Sequence, residues 1–134
     1  MSSIGFWSPR GRSLVAVAVD DDGRAGQPLR ATHTDEGCWS LLAYIEATDG
    51  LDFELVTPEW LARGTPIARF ALERGVAVWL APDPLIAAMR EIGRLNTGPP
   101  HRTAAVIARL PLVELFRVHL RRFAPGDQRQ LRLW

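Results

Sequence analysis

The chain has no lysine. All 16 of its basic residues are arginine, so every lasting cationic contact is made by a planar guanidinium with forked donors. Two causes fit that absence. One is GC-rich codon usage, which the Ala-, Arg- and Pro-heavy composition also reflects. The other is selection for bidentate phosphate contact, which arginine makes and lysine does not. Cysteine occurs once, as Cys38, which excludes an intrachain disulfide and a cysteine-rich zinc site. No apolar run approaches the 18 or so residues of a membrane span. Residues 1–12 lack the apolar core of a secretory signal, so a cytoplasmic protein with no membrane partner is expected. Gly5, Gly11, Gly23 and Gly26 have neither P-loop nor dinucleotide spacing. His33, His101 and His119 are scattered, with no Ser/His/Asp or Cys/His signature around them. No cofactor is expected, and no small-molecule substrate is evident.

What is present fits one domain. A chain of 134 residues buries roughly two-thirds of its unfolded surface. A hydrophobic content of 47% is ordinary for a globular protein. The net charge of +1 conceals a split: residues 1–89 hold 7 arginines against 12 acids, and residues 90–134 hold 9 against 3. A polyanion-facing C-terminal half, with DNA or RNA as partner, gives such a split. So do two complementary faces that meet on folding or in a homodimer.

Residues 3–7, 14–19 and 29–34 read as strands. The second is apolar throughout, as a strand covered on both faces is, and the third alternates like an edge strand. Asp20-Asp21-Asp22-Gly23 is foremost a hairpin turn, with a ligand role for Asp20 as the alternative. Residues 35–47 form a helix capped by Thr34 or Asp35, with Cys38, Trp39, Leu41, Leu42 and Ile45 on its apolar face. A strand follows at 53–57, then a helix from Thr65-Pro66 to Arg74 with Gly75 at its C′ position. After a wholly apolar strand at 76–80, Asp83-Pro84 starts a helix to about Leu95. Leu85, Met89 and Ile92 point inward there, while Arg90, Glu91 and Arg94 face solvent. Residues 101–109 and 112–123 are expected as two more helices separated at Pro111, with Leu112, Leu115, Phe116, His119 and Phe123 on one buried stripe. Three meandering strands followed by βαβ crossovers give a mixed five-stranded α/β sheet with helices on its faces.

In this order, several segments carry a family resemblance. Ile4-Gly5-Phe6-Trp7 ends the first strand, and VAVDDDGR (17–24) forms the second strand and its hairpin. Residues 34–47 supply a first helix of the TxxGxxxLLxxL kind. LERGVAVWLAP (72–82) runs from a helix end through a strand, and RTAAVIA (102–108) lies in a late helix. From Ser3 to about Leu110 the chain resembles the N-terminal RNase H/RuvC-like domain of DEDD-type insertion-sequence transposases, the group that includes pilin-gene-inverting recombinases. The resemblance implies one RNase H-like domain over 1–134, with a core to about residue 110 and a basic helical extension and tail over 111–134. It also implies a site of metal-binding acids. The first acid of the family falls on Trp7 and the two late ones on Ala104 and Ile107, while the acid after the fourth strand survives as Glu59.

One carboxylate of four cannot hold the paired cations of two-metal chemistry. The expectation is therefore a non-catalytic binding module. The alternative is an Mg2+- or Mn2+-dependent nuclease or resolvase with a displaced site built on Glu59 with Asp20 or Asp83. Arg102, Arg109, Arg117, Arg121 and Arg122 are the candidate nucleic-acid contacts, acting by charge on phosphates without reading bases. Of the five tryptophans, Trp39 and Trp79 are expected in the core and Trp60 and Trp134 at the surface. The terminal Leu133-Trp134 either docks a partner or folds over a sheet edge.

Overall fold

The computed structural model describes residues 2–9, 13–49 and 52–124. β1 (Ser2–Trp7) pairs antiparallel with β2 (Ser13–Val19), and β2 pairs antiparallel with β3 (Leu29–Thr32). On the other side of β1 lie β4 (Phe53–Pro58) and β5 (Ala77–Ala81), parallel to β1 and to each other. A short β6 (Arg121–Arg122) runs antiparallel to β5. The resulting order is β3-β2-β1-β4-β5-β6. The mixed α/β sheet agrees with the sequence expectation, except that it has six strands rather than five.

Alternate residues of β1 and β2 enter two cores. Ile4, Phe6, Leu14 and Ala16 join α1 (Asp35–Asp49) and α3 (Ile67–Glu73) on one face. Trp7, Val15, Val17 and Val19 join α4 (Asp83–Ile92) and α5 (Pro100–Arg109) on the other. Cover on both faces explains why these strands are apolar at nearly every position. α5 reaches β1 closely because residue 5 is glycine. A Cβ there would lie 2.9 Å from the Ala108 Cα and closer still to the Ala104 carbonyl oxygen. The Ser3 hydroxyl donates to the Ala108 carbonyl at 2.6 Å across the same contact.

Local chemistry sets the helix ends. Thr34 Oγ1 accepts the Gly37 N–H at 3.0 Å and caps α1. α3 ends in a Schellman motif: Gly75 has φ +81°, its N–H donates to Leu72, and the Val76 N–H donates to Ala71. Thr65 plays a different part from the N-cap expected of it. It closes an additional helix, α2 (Glu59–Gly64), by donating its hydroxyl to Leu61 at 2.9 Å.

Several expected orientations are corrected. Trp39 is 47% exposed; it follows Cys38, so it sits about 100° round the helix from that buried position. α4 ends at Ile92, which is 85% exposed, and the inward place passes to Leu95 in the 3-10 turn Leu95–Thr97. Arg90, expected in solvent, is half-buried. The largest change is in residues 112–123, which form no continuous helix. A 3-10 turn at Leu110–Leu112 leads to the single-turn α6 (Glu114–Arg117) and then to β6. Leu112, Leu115 and His119 are exposed, while Phe123 is buried. The Phe123 N–H donates to the Val78 carbonyl at 2.9 Å. Pairing the open edge of β5 and burying a phenyl ring outweighs the weak helix preference of a short segment interrupted by Pro111. Among the described residues, no helix is long and apolar enough to cross a membrane.

Candidate functional site

The carboxyl ends of β1 and β4 flank the point where the sheet changes from antiparallel to parallel addition, the usual position of a ligand crevice in an open α/β sheet. Here aromatic rings occupy it. The Trp7 ring, at the end of β1, meets Trp60 edge-on with centroids 5.7 Å apart. The Arg90 guanidinium, from α4, lies 4.5 Å from the Trp7 centroid. Its Nε is buried without a hydrogen-bond partner. Ala104 and Ile107 of α5 are wholly buried in the same cluster. Indole, methyl and sec-butyl groups offer no cation a ligand.

Of the three candidate acids, Glu59 and Asp83 lie at one end of the sheet and Asp20 at the other. Glu59 opens α2 with its carboxylate 4.0 Å from Arg63. Asp83 opens α4, its Oδ1 at a long 3.4 Å from the Trp60 N–H, so it lies at the same edge as Glu59. Asp20 is at the other end of the sheet: Val19 faces Ser3, and Ser3 faces Glu54, five residues before Glu59. Its Oδ1 accepts the Asp22 and Arg24 N–H groups, each at 2.9 Å, and Gly23 follows with φ +84°. That is a turn-forming carboxylate, so a site pairing Glu59 with Asp20 is ruled out by distance. Among the described residues, no group of three or more His, Cys, Asp or Glu side chains is placed to hold a metal ion.

Of the five candidate arginines, the fold brings two, Arg117 and Arg122, together over one ring. Trp79, half-buried on β5, has the Arg122 guanidinium 5.0 Å and the Arg117 guanidinium 5.9 Å from its ring centroid. Arg121 faces Leu80 in the β5–β6 register, so its side chain lies on the opposite face of the sheet from Arg122. The Trp79 Nε1–H donates to Glu54 on β4, which fixes the ring on which the guanidinia stack. Stacking on an indole holds a guanidinium in place while its edge N–H groups stay free to donate. Arg109 lies elsewhere, its Nε donating to the Gly23 carbonyl at 3.0 Å. Arg102 is exposed in the first turn of α5, about 10 Å along the helix from Arg109.

Two further contacts leave no mark in the sequence. The Ser8 hydroxyl hydrogen-bonds His33 Nε2 and ties the end of β1 to the end of β3 across β2. Ser8 is 1% exposed, so its hydroxyl is closed to a substrate. The second is the Arg90–Trp7 stack. Neither has a local motif, because the partners lie 25 and 83 residues apart on elements that only the sheet order brings together. An apolar groove of about 360 Å3 runs between β3 and α1, lined by Leu29, Ala31, Leu41 and Tyr44 among others. Arg30, Thr32 and Ser40 also border it. Cys38 is buried, and burial, reinforced by the charge of Asp35, pushes its thiol up to about 11, so it is neutral and unreactive at neutral pH. Trp134 and Leu133 lie outside the described residues.

No protein-family model matches the chain, and no curated protein matches it.

Proposed function

We propose that this chain is a non-catalytic, RNase H-like nucleic-acid-binding domain of transposase ancestry, in which an arginine face around Trp79 holds the phosphate backbone. The observation that carries the reading is the pair of guanidinia over one indole at the β5–β6 edge. Two arginines held on one ring suit phosphates and carry no means of reading base edges. Both faces of the reading agree with the charge split, since these residues lie in the basic segment 90–134.

The ancestry is supported by the meander β1-β2-β3 followed by two strands parallel to β1, the arrangement that the resemblance implies. The loss of catalysis is supported by Trp7, Trp60 and Arg90 filling the crevice at the sheet's switch point. The reading needs no metal or other cofactor.

Fluorescence anisotropy with labelled duplex, single-stranded and branched DNA, and with RNA, tests it. The wild type binds, and Arg117→Ala with Arg122→Ala weakens binding uniformly across sequences. Equal affinity in that variant would refute the assignment of this face.

A further inference from the structure

The segment from Leu110 to Leu120 is a run of tight turns that divides its side chains sharply. Leu110 is buried, and Phe116 and Leu120 pack partly against the α4–α5 core. Leu112, Val113, Leu115 and Val118 point outward, with Leu115 and Val118 each 71% exposed. Four large apolar side chains within seven residues on a surface are the mark of an interaction site rather than of scattered exposure. The surface has relief. Pro111, Leu112, Glu114, Arg117 and Val118 line an open groove, and Leu115 projects from the same turn. Its charges are mixed in a particular way, for the groove carries one carboxylate, Glu114, and one guanidinium, Arg117, three residues apart.

We propose that this face is an isologous interface between two copies of the chain, with Leu115 of each seated in the groove of the other. A two-fold contact requires a patch that complements itself. This one offers a ridge for its own groove, and a two-fold axis through the turn sets Glu114 of each copy against Arg117 of the other. A partner of one charge sign would leave one of the two rim charges unmatched. The inference stands on the apolar turn and its rim charges; it shares Arg117 with the proposed phosphate face, so its test is run without nucleic acid.

Sedimentation of the full chain over a micromolar to submillimolar range, without nucleic acid, is the test. The wild type is expected to shift with concentration from the 14.9 kDa of one chain to twice that mass. Leu115→Arg is expected to stay at one-chain mass throughout. Glu114→Arg alone places like charges together and raises the dissociation constant by about tenfold or more. Combining Glu114→Arg with Arg117→Glu exchanges the rim charges and restores the dimer. All these positions are exposed, and circular dichroism verifies the fold of each variant. A wild type of one-chain mass at every concentration overturns the proposal and leaves the face to a different partner. A dimer indifferent to Leu115→Arg and Glu114→Arg overturns it too, since the copies then meet elsewhere.

Discussion

Trp7 is held between the edge of Trp60 and the Arg90 guanidinium, with 8% of its surface exposed. Truncation to alanine removes an indole from a core that also contains Val56, Ile86 and Ala104. It strands a half-buried cation as well. Trp7→Ala is expected to cost about 3–5 kcal/mol, read as a lowered midpoint in urea denaturation. Loss of less than about 1 kcal/mol would show that the crevice refills or was never closed. Cys38 makes a second residue-level prediction. Because burial holds the thiol neutral to about pH 11, native protein is expected to resist a thiol reagent at pH 8 and to react fully once unfolded. Rapid reaction of the native form would contradict its place in the core.

At the scale of elements, α1 and α3 are braced at the surface by Arg74, which hydrogen-bonds Glu46 and lies 4.7 Å from the Trp39 centroid. The hydrogen bond from Arg74, and then its charge, hold the Glu46 carboxyl below the usual carboxylate range. A carboxyl lowered in the folded state stabilises above its unfolded value, and that contribution is lost as pH falls through the folded value. Glu46→Gln is therefore expected to flatten the acid limb of a stability–pH profile between about pH 5 and 2, leaving the neutral-to-alkaline side parallel to wild type. An unchanged acid limb would contradict the brace.

Elements with strong local signals were legible in the sequence. The apolar runs of β2 and β5 declared strands with two covered faces. Asp20-Gly23 declared its turn, Thr34 its cap and Gly75 its left-handed C′ position. Residues 112–123 were misread because their spacing mimics a helical stripe, whereas the decisive contact is the long-range pairing of Phe123 with Val78. Arg90 was misread for the same reason, since nothing near it in sequence announces Trp7. At the positions that the resemblance assigns to metal-binding acids, the sequence shows Trp7, Ala104 and Ile107, and it could not say that Trp60 and Arg90 would join Trp7.

Over the whole molecule, the charge split becomes a matter of placement. The acidic half supplies the meander, α1 and the Asp20 turn. The basic half supplies α5, the exposed turn at α6 and β6, whose Arg122 joins Arg117 over Trp79 of β5. Arg109 links the halves by donating to Gly23, so not all the arginines serve one face. The central claim is that Arg117 and Arg122, held over Trp79, bind phosphates by charge and without a metal. The most direct test is fluorescence anisotropy with labelled DNA in EDTA, titrated at two salt concentrations. Two phosphate contacts predict an affinity that falls roughly 12-fold between about 50 and 200 mM salt, and a salt slope that drops by about two units in the Arg117→Ala, Arg122→Ala variant. No binding at the lower salt, or an affinity indifferent to salt, would contradict the account.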